Sequence, residues 1–464
     1  MELHIEPGLP GDIVGRAARV MLITALLAAV AAAGNPQTLG RESVVKIFSP
    51  DGGEYERYGG DVAIDGGVAV IGESEIGDIW PSGPGTAYVY RYDADEGVWA
   101  LETQLDPWGP DDGVLFGSAL DIDGEIIAVG SWAWADEEGR VFVFRYDPDS
   151  SSWTNEQILE GDPPGSFGGC VSISGDTIIT DGPGGAFVFR YDPDASAWIR
   201  EQQLVPDDDY HAVYAVDIEG DRAVVGYCWY DSNTGTAVVF EYDPETSLWV
   251  QTSKLDASDA AEYDRFGMSV RVEDDFIAVG APDPDIMPDE PEAVYVFVPS
   301  RDSWEEVAMI TPYDGGIGDN FGSNIDLNGR TIIVGSRDNG PDGAAYVYDF
   351  DPQTYGWSLR IKLLPSGPEP HSFGASVAIH GYRALVGDSQ DCELATYAGA
   401  AYIFELPGND CPADVNCDET VDIDDLFQVL GAWGLCDDCP EDIDDSGVVD
   451  IDDIFAVLAD WGPC

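Results

Sequence analysis

Twice near its C-terminus the chain sets oxygen-bearing side chains at alternate positions. The first run places Asp414, Asn416 and Asp418 two residues apart, followed by Thr420, Asp422 and Asp425. The second places Asp442, Asp444 and Ser446 in the same way, followed by Val448, Asp450 and Asp453. Such a run offers side-chain oxygens at positions 1, 3, 5, 9 and 12 and a main-chain carbonyl at position 7. That is the donor set of a calcium loop, since Ca2+ takes about six to eight oxygens and a loop of about twelve residues can wrap them around it. Thr420 and Val448 contribute their carbonyls in this reading. Position 6 needs a sharp turn, which glycine makes most easily. Gly447 meets that need and Glu419 does not, so the second loop is the better-formed site.

The residues after each loop suggest what holds it. Leu426, Phe427, Val429, Leu430 and Trp433 fall on one helical face, as do Ile454, Phe455, Val457, Leu458 and Trp461. No helical pattern precedes either loop, so each unit is a loop followed by a helix, half of an EF-hand. The copies run Cys411–Cys436 and Cys439–Cys464, and both end in Trp-Gly-x-Cys. Two such units in tandem, with Asp at position 12, resemble a dockerin domain. The bracketing cysteines resemble the GC-type dockerin-like domain at the C-termini of many secreted bacterial proteins. The resemblance implies that residues 411–464 form a Ca2+-dependent attachment module whose partner is a cohesin-like protein or another cell-surface receptor. The four bracketing cysteines admit three pairings. A helix of about ten residues spans roughly 15 Å, and a disulfide needs Cα atoms within about 7 Å. Antiparallel packing of the units therefore favours Cys411–Cys464 and Cys436–Cys439.

The other end of the chain supports export. Arg16 and Arg19 precede the apolar run Val20–Val30, and Ala31-Ala32-Ala33 offers small residues for cleavage, so residues 1–33 read as a signal peptide. The run is shorter than the roughly 20 residues of a bilayer span, so no membrane span is expected in the mature chain. The expected location is extracellular, with the tail attached to a cell surface. Cys170, Cys228, Cys392 and Cys417 have no evident partner, and Cys170, in an apolar strand pattern, reads as a small buried residue. There are 89 acids against 20 Lys and Arg, a net charge of −69, which repels nucleic acid and anionic membranes. With 44% hydrophobic residues and regular strand patterns, the chain is a folded one.

Between the two ends lies an internal repeat. Each unit opens on an aromatic-glycine pair: Tyr58-Gly59, Phe116-Gly117, Phe167-Gly168, Phe266-Gly267, Phe321-Gly322 and Phe373-Gly374. A unit near Ala212-Val213 has lost the pair but keeps the strand after it. A second strand closes on Gly72, Gly130, Gly226, Gly280, Gly335 or Gly387, and an aromatic-rich third strand follows. A turn rich in Asp and Pro then leads to Trp99, Trp153, Trp198, Trp249, Trp304 or Trp357. Four short strands at this period read as the blades of a β-propeller, and seven openings give seven blades. The seventh unit ends at Leu406 without a fourth strand. Residues 42–48 have the pattern of the missing strand, so the N-terminus is expected to complete the last blade and remove an exposed edge. The expected architecture is all-β: a seven-bladed propeller over 42–406, a short linker at 407–410, and a small α-helical dockerin-like domain over 411–464.

The aromatic-glycine pair and the Val-Gly that ends the second strand resemble FG-GAP repeats, the blades of integrin α-type propellers. In that family, calcium-binding blades carry an Asp-x-Asp-x-Asp-Gly loop between their first two strands. Here that turn is short, as in Asp121–Gly124, so blade calcium sites are not carried over. Asp283, Asp285 and Asp289 come nearest to one, in a later loop. No familiar hydrolase, zinc-protease or phosphate-loop motif is present. His371 and His380 bracket a strand of about eight residues and should stand roughly 25 Å apart, and His211 lies in another blade. The loops after the second strands hold Trp80, Trp132, Trp134, Trp229 and Tyr230, which either cover blade edges or stack on a ligand. Together these features point to a secreted, non-enzymatic binding or adhesion protein, with a protein or glycan ligand on the propeller and the tail as anchor. The alternative is an extracellular polysaccharide-active enzyme with the same tail.

Overall fold

The computed structural model describes residues 44–50, 52–74, 85–93, 96–107, 115–132, 139–161, 167–207, 212–273, 275–282, 292–301, 303–352, 354–366 and 372–406. It also describes 37–38 and, near the C-terminus, 420–421, 426, 429, 434–435, 448–449, 454 and 462–463. The signal-peptide reading and most of the tail therefore lie outside the described residues.

Residues 44–406 form seven antiparallel sheets arranged as the blades of a propeller. Blade 1 contains Tyr58–Asp65, Val68–Glu73, Thr86–Asp93 and Val98–Leu105, counted outward from the axis. Burial follows that order. The second strand of blade 1, Val-Ala-Val-Ile-Gly-Glu, is buried at every residue because neighbouring blades cover both its faces. Its fourth strand alternates between exposed and half-buried residues. In blades 1 to 6 the third and fourth strands are offset by a bulge, for example between Val89 and Tyr90. Each bulge adds local twist at the perimeter.

The last blade is completed as expected. Val44–Phe48 pairs antiparallel with Ala400–Glu405, Lys46 opposite Tyr402. Upstream, Gln37–Thr38 adds in parallel to the outer strand of blade 6. The innermost strands contact one another around the whole ring, including that of blade 7 against that of blade 1.

The repeated glycines explain the motif. A Cβ on Gly72 would strike the carbonyl oxygen of Gly117 in the next blade. Gly387 of blade 7 meets Gly59 of blade 1 in the same way, across the closure. The glycine ending one blade's second strand thus lies against the glycine of the next blade's aromatic-glycine pair, and these second-strand glycines mark close backbone approach. This contact recurs at six interfaces. The interface from blade 3 to blade 4 departs from it. There the strand register puts Asp181 in the glycine's place, and the partner blade carries Ala212-Val213 instead of the aromatic-glycine pair. The two irregularities seen separately in sequence are the two sides of one interface.

In the tail, Thr420–Val421 pairs with Gly462–Pro463, and Gly434–Leu435 pairs with Val448–Val449. Each repeat's loop therefore pairs with the end of the other repeat, as antiparallel packing requires. Leu426, Val429 and Ile454 are helical, and Val429 is buried. The bracketing cysteines, and with them the expected disulfides, lie outside the described residues.

Candidate functional site

An innermost strand has one edge facing the axis, and the amides on that edge need acceptors. The preceding blade supplies them. Asp61 Oδ2 accepts the Leu120 amide at 2.7 Å, and Asp121 Oδ2 accepts Ile173 at 2.7 Å. Asp217 Oδ2 accepts Val272 at 2.6 Å, and Asp326 Oδ2 accepts Ile379 at 2.7 Å. Asn324 and Asn328 serve Val377 and Gly381 in the same way. Cys170 uses its sulfur for Val216, so this half-buried residue is one of the stitches between blades.

These carboxylates crowd the axis of the ring. Arg271 of blade 5 occupies the position held by Asp121, Asp217 and Asp326 in their blades. Its Nε donates to Asp326 Oδ1 at 2.9 Å, and its charge also bears on Asp61, Asp121 and Asp217. Burial pushes Asp121 up to about 8, against the Ile173 amide and Arg271, with Asp217 adding to the rise. Burial pushes Asp61 and Asp217 up to about 6, again opposed by backbone amides and Arg271. Burial disfavours the Arg271 cation, but Asp217, Asp326 and Asp121 outweigh it and hold the group charged. The belt can retain protons near neutral pH, a property shared by structural and acid–base carboxyls.

Above the belt, at the end carrying the long loops, lies the irregular interface. Asp181 Oδ1 accepts the Gly169 and Cys170 amides at 2.6 and 3.1 Å. Tyr214, at the head of blade 4's inner strand, feels the charges of Arg337 and Arg265. Trp229 stands beside Tyr214 with ring centroids 6.2 Å apart, and the Arg265 guanidinium lies 4.8 Å from the indole. Cys228 is fully buried beneath, its thiol pushed up to about 12 by burial, with Arg265 opposing.

Of the residues expected to hold calcium, Thr420 and Val448 are described, each in a short pairing between the repeats. Asp414, Asn416, Asp418, Asp422, Asp425, Asp442, Asp444, Ser446, Asp450 and Asp453 lie outside the described residues, as do Asp283, Asp285, Asp289, Trp80, Trp134, His211 and His371. His380 Nδ1 lies 3.2 Å from Asp65 Oδ1 across the closure. Trp132 is half-buried beside Gly169 and Tyr230 is half-buried, so both cover blade edges, whereas Trp229 is 46% exposed. The carboxylate belt was missed in sequence. Aligning the blades on the glycine that closes the second strand (Gly130, Gly226, Gly280 and Gly335) would have put Asp121, Asp217, Arg271 and Asp326 in one column.

The sequence pattern of the FG-GAP repeat matches residues 42–90, 249–297, 304–348 and 357–404. The chain carries FG-GAP repeats. The three later matches start within a fourth strand and end within the next blade's third strand. The FG-GAP unit is thus offset by one strand from the blade, and for that reason the N-terminal match contributes its first strand to blade 7. No curated protein sequence matches the chain. Among solved structures, it is similar to the periplasmic gluconolactonase PpgL of Pseudomonas aeruginosa, with 16% identity over 66% of this chain and 86% of that one, TM-score 0.48. It is also similar to Sqt1 of Saccharomyces cerevisiae, with 10% identity over 81% and 100%, TM-score 0.45. A protein from Lactobacillus plantarum shares 13% identity over 65% and 83%, TM-score 0.47.

Proposed function

We propose that the protein is a secreted, non-enzymatic binding protein. In this reading the FG-GAP propeller offers its long-loop face for recognition, and the dockerin-like tail binds Ca2+ and attaches the molecule to a cell-surface receptor. One observation supports it most. The axial carboxylates that could serve chemistry each accept an amide from the neighbouring blade, so their geometry is bound up with holding the ring together. The long-loop face, where the repeat breaks, is the part free to recognise something. The test uses the full chain on cell envelopes and on glycan and protein arrays. Retention on envelopes should fall on adding a calcium chelator and in a chain carrying Asp442→Ala and Asp444→Ala. Retention indifferent to both would remove the anchoring role.

A second reading, an extracellular polysaccharide-active enzyme, is favoured by the raised carboxyls of Asp61, Asp121 and Asp217 gathered around Arg271. New reducing ends appearing with the native chain and abolished by Asp121→Asn would establish it.

A further inference from the structure

The end of the ring above the belt presents a built aromatic surface. Trp229 is 46% exposed and Tyr214 is 41% exposed, with their rings inclined at 73°. Arg265 stacks on Trp229 at 4.8 Å, which fixes the plane of the indole. The next residue, Tyr230, is half-buried beside the blade 4 core and lies 4.8 Å from Lys254. One aromatic therefore anchors the loop while the other is displayed.

The loop itself is under strain. Asp231, Ser232 and Asn233 have φ of 43°, 61° and 65°, three consecutive non-glycine residues in the left-handed region. Each such residue costs about 1 kcal/mol or more. Blade 5 keeps the loop in place, because Arg265 N donates to Asn233 O at 2.8 Å and Phe266 N to Thr234 O at 3.0 Å. A strained loop fixed by its neighbour and beginning with a displayed tryptophan is pre-organised for a ligand.

We propose that Trp229 and Tyr214 form a stacking platform for a pyranose ring of a neutral polysaccharide. The C–H face of a sugar is apolar and weakly positive and suits the electron-rich face of an indole. Its hydroxyls need donors and acceptors nearby, and the exposed Asp231 and Ser232 of the loop, with Arg337 near enough for its charge to bear on Tyr214, offer both. The net charge of −69 disfavours an anionic polymer. Two rings hemmed by charged side chains give too little contiguous apolar area for the desolvated centre of a protein interface. This inference rests on the reading of the propeller as a recognition module.

The experiment titrates the full-length protein with cello-, xylo-, manno- and chito-oligosaccharides, and with oligogalacturonate and sulfated oligosaccharides, by calorimetry and tryptophan fluorescence. A neutral oligosaccharide should bind and quench fluorescence. Trp229→Ala should weaken it by about tenfold or more, Tyr214→Ala should weaken it less, and Trp229→Phe should restore part of the loss. Trp357→Phe, at the perimeter, should leave affinity unchanged. Neutral-glycan binding that survives both Trp229→Ala and Tyr214→Ala would overturn the platform and leave the recognition reading standing. Binding of acidic oligosaccharides alone would overturn the choice of ligand. Silence toward every glycan would overturn the inference, and the protein array would then judge the recognition reading on its own.

Discussion

All three lysines of the chain occupy one position of the repeat. Lys46, Lys254 and Lys362 sit on the fourth strands of blades 7, 4 and 6, each one residue before the residue paired to Ala401, Ala237 or Ala345. Each lies near an aromatic ring and an acid. Lys362 pairs with Asp314 at 2.8 Å beneath Tyr346, and Lys254 with Asp256 at 3.4 Å near Tyr230. Lys46 is the tightest. It pairs with Asp391 at 2.7 Å and Glu393 at 2.8 Å, with the Asp391 side chain wholly buried. These partners overcome the burial that would otherwise weaken its charge. The lysine latches the N-terminal strand into the last blade. Lys46→Ala should therefore lower stability by about 3 kcal/mol, because Asp391 is left as a buried charge without its cation. Denaturant unfolding reads this directly, and a change below about 1 kcal/mol would show the latch to be incidental. The partners of this column could not be seen in the sequence until strand register was known, since a lysine in a strand carries no label for its partner.

Between blades, close contact and polar clamps share the work. The six glycine contacts let adjacent sheets approach backbone to backbone. Toward the perimeter, Glu156 of blade 2 pairs with Arg145 at 2.8 Å and accepts the indole N–H of Trp198 in blade 3 at 2.9 Å, while Arg145 stacks on Tyr191 at 4.8 Å. Glu201, Arg190, Trp249 and Tyr242 repeat this between blades 3 and 4. At these two interfaces the repeated tryptophan is thus a clamp between blades. At the inner contact, Gly335→Ala would drive a methyl into the Gly374 carbonyl and should cost about 3 kcal/mol. At the equivalent column in blade 3, Asp181→Ala should cost about 1–3 kcal/mol for the opposite reason, the loss of an acceptor for two amides. Thermal unfolding of the two variants, with Asp181→Gly as a third, checks the assignment. If Gly335→Ala matches wild type, the close-approach account of the motif fails.

At the scale of the ring, closure and protonation govern stability. Removing residues 42–48 would expose the outer edge of Ala400–Glu405 and leave Asp391 without Lys46, so the shortened chain should aggregate. A soluble monomer of wild-type stability would contradict this, by light scattering and thermal unfolding. The axial belt predicts a pH dependence. Asp61, Asp121 and Asp217 have folded pKa values above the ordinary 3.8, at about 6, 8 and 6. The folded state therefore binds more protons than the unfolded chain between about pH 4 and 8, and stability should fall as pH rises through that window. Relief of surface repulsion acts in the same direction but is screened by salt. In high salt, Asp121→Asn should flatten the upper part of the slope while its amide oxygen still receives Ile173 N–H. An unchanged slope would place the titration elsewhere.

The blade count and the closing strand were legible in the sequence, because each depends on local spacing. Strand periodicity and the aromatic-glycine opening both repeat within a few dozen residues. Tertiary structure alone decided which glycine meets which, why Asp181 and Ala212 depart from the pattern together, and that Arg271 faces four carboxylates. It also decided that Trp229 is displayed while Trp132 and Tyr230 are packed away. These are contacts between residues of different blades, tens to hundreds of positions apart in sequence, and their geometry exists only once the ring has closed and fixed every inner strand against the next.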